Sequence, residues 1–145
     1  MNLFQKEKST SHAGLELNWK IECDAISDAE WDCLATMIME IQTRPFSKVI
    51  GIPRGGKKLE EALQPYCNLG SYNNHVGNVV NHPILIVDDV WTTGASFREF
   101  TEIQVIKTDI EKNGWFGWCI FARTQPTNRV TALFQMPKAA YQLSG

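Results

Sequence analysis

The segment Ile84-Leu85-Ile86-Val87-Asp88-Asp89-Val90-Trp91-Thr92-Thr93-Gly94-Ala95-Ser96 constrains this chain more than any other. Its four leading aliphatic residues leave no polar face for water, so they predict a strand covered on both sides, as inside a parallel sheet. Two carboxylates end that run, and a short hydroxyl-rich turn with one glycine leads to a helix start. In that order the turn and the first helical residues present N–H groups without internal partners, and the helix dipole adds to them. Gly94 permits the bend, and Thr92, Thr93 and Ser96 add hydroxyl donors of little bulk. An anion such as a phosphate is therefore expected at this turn, on the edge where open α/β sheets bind ligands. Asp88 and Asp89 would repel a phosphate, so they call for a sugar diol, a Mg²⁺ ion with its waters, or both.

The flanking sequence supplies the rest of such a sheet. Leu17, Trp19, Ile21 and Cys23 alternate with polar residues and predict a half-buried strand. Ser27 and Glu30 form a capping box, and Trp31, Leu34, Ala35, Ile38 and Met39 share a helical face that Pro45 closes off. A strand at Val49–Ile52 precedes Pro53-Arg54-Gly55-Gly56 and a helix with Leu59, Ala62, Leu63 and Tyr66 turned inward. Cys67 to Asn81 reads as loop with a short strand near Val76 to Val80. One helix is expected from Ser96 to Lys112, stopped by Gly114. Strands follow at Trp118–Ala122 and Val130–Phe134. Alternating strands and helices predict an α/β domain with a mostly parallel, Rossmann-like central sheet flanked by helices.

With 145 residues the chain fits a single domain over residues 1–145, of which 1–12 are polar and expected to be poorly ordered. A net charge of −2 with both signs scattered argues against a nucleic-acid partner or an anionic membrane surface. The apolar run Ile84–Val87 falls far short of the roughly 20 residues that cross a bilayer. The N-terminus lacks the apolar stretch of a signal peptide, so the cytoplasm is the expected location. Cys23, Cys33, Cys67 and Cys119 lack metal or disulfide spacing and read as free buried thiols. No Ser-His-Asp or Cys-His arrangement stands out, and the histidines lack zinc-ligand spacing.

The block from Ile84 to Ser96 resembles, position by position, the phosphoribosyl-pyrophosphate signature of the type I phosphoribosyltransferases. By that resemblance the ligand lies on Asp88, Asp89, Val90, Thr92, Thr93, Gly94, Ala95 and Ser96, with Thr92 to Ser96 on the 5-phosphate and the acid pair on the ribose hydroxyls. Mg²⁺ would be held by Asp88 and Asp89 through water. The segment Ile50-Gly51-Ile52-Pro53-Arg54-Gly55-Gly56 is similar to the family's pyrophosphate loop, which in relatives contains a cis non-proline peptide. That likeness assigns pyrophosphate to Pro53, Arg54, Gly55 and Gly56, with the Gly55 and Gly56 amides as donors. The implied catalytic set is Asp88, Asp89 and Arg54, acting on phosphoribosyl pyrophosphate and a small base or nucleotide.

A weaker likeness ties His12-Ala13-Gly14, Trp19-Lys20-Ile21 and Asp24 to the substrate segment of orotate phosphoribosyltransferases, although Leu17 stands where those enzymes commonly have Ser. In the same branch, Ile120-Phe121-Ala122-Arg123 is similar to the strand end beside the base. Lys20, Phe121, Ala122 and Arg123 are the implied base contacts. The resemblance also implies a small hood built from the N- and C-terminal segments, and it leaves a homodimer open. Two features depart from the family pattern. Cys67 to Pro83 has no Lys or Arg where active orotate enzymes carry a long basic loop, and only His75 and His82 offer a proton there. Thr92 replaces the acid that purine-salvage members use against the base. Trp91 either packs or shapes the base pocket. Loss of the basic loop leaves an enzyme and a non-catalytic sensor or regulatory binder of phosphoribosyl pyrophosphate or a nucleotide both open, with a structural or interaction domain that keeps only the fold as a third reading.

Overall fold

The computed structural model describes residues 4–5, 9–10, 16–17, 20–21, 23–68, 72–73, 78–79, 82–127 and 129–137. In chain order the strands are β1 (Phe4–Gln5), β2 (Ser9–Thr10), β3 (Glu16–Leu17), β4 (Lys20–Ile21) and β5 (Lys48–Gly51). They continue with β6 (Tyr72–Asn73), β7 (Asn78–Val79), β8 (Ile84–Trp91), β9 (Trp115–Ala122) and β10 (Val130–Gln135). The helices are α1 (Asp28–Ile41), α2 (Lys57–Leu63), α3 (Ala95–Thr101) and α4 (Gln104–Asn113). Strands β5, β8, β9 and β10 lie side by side in that order, all parallel. This is the expected α/β architecture.

Alternation along the inner strands feeds two cores. Leu85, Val87, Trp118 and Ile120 pack with Trp31, Ala35 and Ile38 of α1 and with Leu59 and Leu63 of α2. Ile84, Ile86, Cys119 and Ala122 pack on the other face with Phe97 and Phe100 of α3 and Ile106 of α4. Ile84, Leu85, Ile86 and Val87 are all fully buried, each stabilising the fold by about 1.5–3 kcal/mol relative to exposure. The turn after β5 therefore leaves toward one face, and the turn after its neighbour β8 leaves toward the other. Divergence of that kind opens a crevice at the carboxyl ends of the two strands.

Local signals account for most boundaries. Ser27 Oγ accepts from the Glu30 amide at 3.2 Å while Glu30 accepts from the Ser27 amide at 2.9 Å, so α1 starts on the expected capping box. Gly114 ends α4 at φ +75°. Four expectations need correction. The strand foreseen to run through Cys23 is replaced at Cys23–Ala25 by a short 3₁₀ turn. The strand expected to end at Val87 continues to Trp91, because Asp88, Val90 and Trp91 still pair with β9. The single helix over 96–112 breaks at Glu102 and Ile103. Unbroken, it would carry Gln104 and Lys107 round beneath Phe97 and Phe100. The break resets the phase, so Ile106 is buried and Ile110 half-buried, while Gln104 and Lys107 face water. Cys33 is exposed and Cys67 only half-buried, although all four thiols are free.

In the region read as loop, β6 and β7 form a two-residue antiparallel ladder. The short strands β1 and β4 pair, as do β2 and β3. The expected hood and the poorly ordered residues 1–12 fall largely outside the described residues. No described helix is long and apolar enough to cross a membrane.

Candidate functional site

The crevice between the β5 and β8 turns is a cleft of about 660 Å³. Its walls bring together Pro53 and Gly55 from one turn, Asp88, Asp89, Val90, Thr92 and Ser96 from the other, and Glu99, Phe100 and Ile103 from α3 and its end. A second hollow of about 270 Å³ shares Gly55 and Asp89 with the cleft and adds Arg54, Lys58, Asp24 and Trp31. The two expected loops thus face each other across one cavity, whose size suits a small ligand.

Asp88 is 6% exposed and Asp89 half-buried. Asp88 Oδ1 accepts from the Asp89 amide at 2.9 Å, and Asp89 Oδ1 accepts from the Val90 amide at 2.8 Å. Burial, reinforced by the Asp89 charge, pushes the Asp88 carboxyl up to about 9. Cys119, paired with Asp88 across the sheet, has its thiol pushed up by burial and then by Asp88 and Asp89. A cation beside the acid pair would favour the ionised carboxylate. Among the described residues no cluster of three or more His, Cys, Asp or Glu can hold a metal by itself. The acid pair therefore suits an ion such as Mg²⁺ only where ligand oxygens and water complete its shell.

The phosphate turn has the shape its sequence predicts. Gly94 adopts φ +86° and caps α3, whose first amides lack helical partners. Thr93 Oγ1 accepts from the Ala95 amide at 3.3 Å, and Thr92, Thr93 and Ser96 are half-buried. A small hollow of about 30 Å³ lies within residues 90–97.

The pyrophosphate loop contains a cis peptide at Pro53–Arg54, as the resemblance implied. One assignment fails there. The Gly56 amide donates to the Ile52 carbonyl at 2.8 Å and is not free for an anion. Gly56 is glycine because a Cβ would lie 2.4 Å from the Val87 carbonyl oxygen. Its task is to seat the loop against β8. Gly55 is exposed and faces Asp89, where a Cβ would sit 2.5 Å from Oδ1.

The base-side residues fare unevenly. Phe121 and Ala122 are 5% and 0% exposed, with Phe121 stacked on Phe134, so both belong to the core and neither lines the cleft or the hollow. Arg123 is 3% exposed, and its Nη1 has no hydrogen-bond partner among the described residues. Burial lowers its pKa, partly offset by Cys23. Lys20 sits on β4, but its side chain lies outside the described residues, as does His75. His82 precedes β8, six residues before Asp88 and so about 20 Å away at the opposite end of the strand. It cannot serve this cleft.

Three contributors were missed. Lys58 lines the hollow, tied to Asp28 at 3.1 Å. Two lysines opening α2 oppose the helix dipole, and that was a readable signal. Glu60 accepts from the Gly51 amide at 2.7 Å and so braces the strand beneath the loop. Thr124 bonds to the phosphate turn from 32 residues away, and no local pattern announces it.

No protein-family model matches the sequence, and no curated protein is similar to it in sequence. Solved structures do match. The orotate phosphoribosyltransferase of Aeropyrum pernix superposes with a TM-score of 0.69 at 15% identity, over 93% of this chain and 89% of that one. The chain has the phosphoribosyltransferase fold. The orotate phosphoribosyltransferase of Mycobacterium tuberculosis matches with a TM-score of 0.59 at 13% identity, over 92% and 89%. A phosphoribosyltransferase of Corynebacterium diphtheriae gives 0.59 at 10% identity, over 83% and 84%. At these identities the likeness establishes architecture, and the chemistry has to be argued from the residues.

Proposed function

We propose that this protein binds Mg²⁺-phosphoribosyl pyrophosphate and transfers the phosphoribosyl group to a nitrogenous base, releasing pyrophosphate. The observation that carries this reading is the acid pair and glycine turn of β8 facing the Pro53–Gly56 loop across one cleft. Thr92 to Ser96 would hold the 5-phosphate, and Asp88 and Asp89 the ribose hydroxyls. Arg54, with the exposed Gly55 amide, would take the pyrophosphate, and Lys58 adds positive charge to the same hollow. Asp88 and Asp89 would hold Mg²⁺ with water and the ligand's own oxygens, and a bound Mg²⁺ supplies charge for the departing pyrophosphate. As that group leaves, the sugar gains oxocarbenium character, which the acid pair stabilises. The work is positioning and charge management, with no covalent nucleophile. On the acceptor side, Arg123 stands as a candidate by the strand-end likeness alone, since it is buried and lines neither the cleft nor the hollow.

A second reading, a sensor that binds the same ligand without turnover, is favoured by the absence of Lys and Arg between Cys67 and Pro83. Calorimetric titration with Mg²⁺ and phosphoribosyl pyrophosphate tests what both share. Asp89→Asn and Thr93→Val should each weaken affinity about tenfold, or ~1.4 kcal/mol. Failure of the unaltered protein to bind overturns both readings. Pyrophosphate release with a panel of bases, orotate included, then separates enzyme from sensor.

A further inference from the structure

Trp91 is 5% exposed and lies directly under the phosphate turn. Its ring fills the space beside Gly94, where a Cβ would come within 2.5 Å of Cη2 and 2.6 Å of Cζ2. The indole N–H donates to Thr124 Oγ1 at 3.2 Å, and the Thr124 hydroxyl donates in turn to the Thr92 carbonyl. The Arg123 amide donates to the Trp91 carbonyl at 2.7 Å. One closed set of hydrogen bonds therefore joins the end of β8, the turn, and residues 123–124 beyond β9. Behind it, Trp91 packs on Phe97 at 5.6 Å between ring centroids, and Phe97 stacks on Trp115 at 6.2 Å. The turn thus rests on a ring that is itself wedged by two others.

We infer that Trp91 and Thr124 are positioning residues: together they set the shape of the phosphate turn and couple it to the strand end that carries Arg123. A turn that binds through backbone amides keeps its affinity only while its carbonyls and amides hold their orientation, and Thr92 and Gly94 have no side chains able to enforce that alone. The Thr124 hydroxyl does so at Thr92, and the indole does so at Gly94. Because the same set fixes the Arg123 main chain, filling the phosphate turn stiffens the segment just beyond β9 as well. This inference rests on the functional reading above for its ligand, but not for its geometry.

Thr124→Val removes the hydroxyl at constant shape, and Thr124→Ser restores it. Calorimetry with ribose 5-phosphate and with Mg²⁺-phosphoribosyl pyrophosphate should show affinity three- to tenfold weaker for the Val variant, and within twofold of the parent for Ser. If turnover is measurable, KM should rise with kcat held within twofold. Amide hydrogen exchange gives a second measure. The Arg98 amide, which donates to Gly94 at 3.0 Å, and the Arg123 amide should exchange about tenfold faster in the Val variant, while the Leu85 amide is unchanged. Equal affinity and equal exchange in the Val and Ser variants would overturn the inference. If neither ligand binds the unaltered protein, the functional reading falls, and the exchange comparison still decides on the strut. Trp91→Phe, which keeps a ring against Phe97 but loses the indole N–H, should reproduce the Val result and serves where Thr124→Val fails to fold.

Discussion

Asp88→Asn should make the ligand-free protein more stable at neutral pH while weakening its ligand binding. In the folded chain the Asp88 carboxyl is pushed up to about 9, against an ordinary value of 3.8. Below pH 3.8 both the folded and unfolded chains carry the proton, and ionisation costs nothing. As pH rises from there toward 9, the unfolded chain gives up the proton and the folded chain keeps it, so stability falls by about 1.4 kcal/mol per pH unit. At pH 7 the accumulated penalty is at most about 4 kcal/mol, a large share of the 5–15 kcal/mol typical of a domain. Asparagine cannot ionise, yet its Oδ1 still accepts from the Asp89 amide. Urea denaturation followed by tryptophan fluorescence at pH 4.5, 6, 7 and 8 should give stabilities within about 1 kcal/mol of each other at the acid end. The curves should then separate, with the variant ahead by 2–4 kcal/mol at pH 8. Parallel pH profiles for the two proteins would refute the argument, because they would mean that Asp88 ionises in the fold as easily as in water.

Gly55→Ala places a methyl 2.5 Å from Asp89 Oδ1, so it should displace that carboxylate and cut Mg²⁺-dependent ligand affinity by tenfold or more, with a melting temperature lowered by only a few degrees. Gly94→Ala meets both a left-handed backbone at φ +86° and the Trp91 ring, and should cost about 2–4 kcal/mol in denaturant titration. Leu85→Ala, at a fully buried position, should cost about 2–5 kcal/mol by the same measurement. Lys48→Ala removes an ion pair to Asp109 whose side chains are 46% and 30% exposed, so stability should change by less than about 1 kcal/mol, and by less still in high salt.

What the sequence disclosed was whatever is encoded within a dozen residues. The apolar run before Asp88, the glycine turn, the Ser27 capping box and the Gly114 stop each carry their physical cause locally, and each appears where expected. The features that escaped depend on partners distant in the chain. A helical pattern across 96–112 is locally sound, and only the need to bury Ile106 against the same sheet face as Phe97 and Phe100 breaks it. Gly55 and Gly56 look alike in sequence. Yet one faces Asp89 and the other spends its amide on Ile52, a distinction set by how the loop meets β8. Phe121, Ala122 and Arg123 follow the strand-end likeness, but all three are buried and none lines the cleft or the hollow.

The energetics of the cleft favour a ligand over a purely structural purpose. Asp88 is an acid whose carboxyl is pushed up by burial and then by Asp89, and Arg123 is a buried guanidinium whose Nη1 has no hydrogen-bond partner among the described residues. They belong to neighbouring strands, with Asp88 level with Cys119 and Arg123 just beyond β9, and no ion pair joins them among the described residues. A fold selected for stability alone would bring such groups together or replace them with apolar side chains, which is often the more stable choice. Kept apart, each retains an unmet demand, for positive charge at β8 and for oxygen acceptors at β9. At the other end of the sheet the described charges are ordinary surface pairs such as Lys48–Asp109. The buried acid of β8 sits where the two turns diverge, and costs of that kind persist where function requires them.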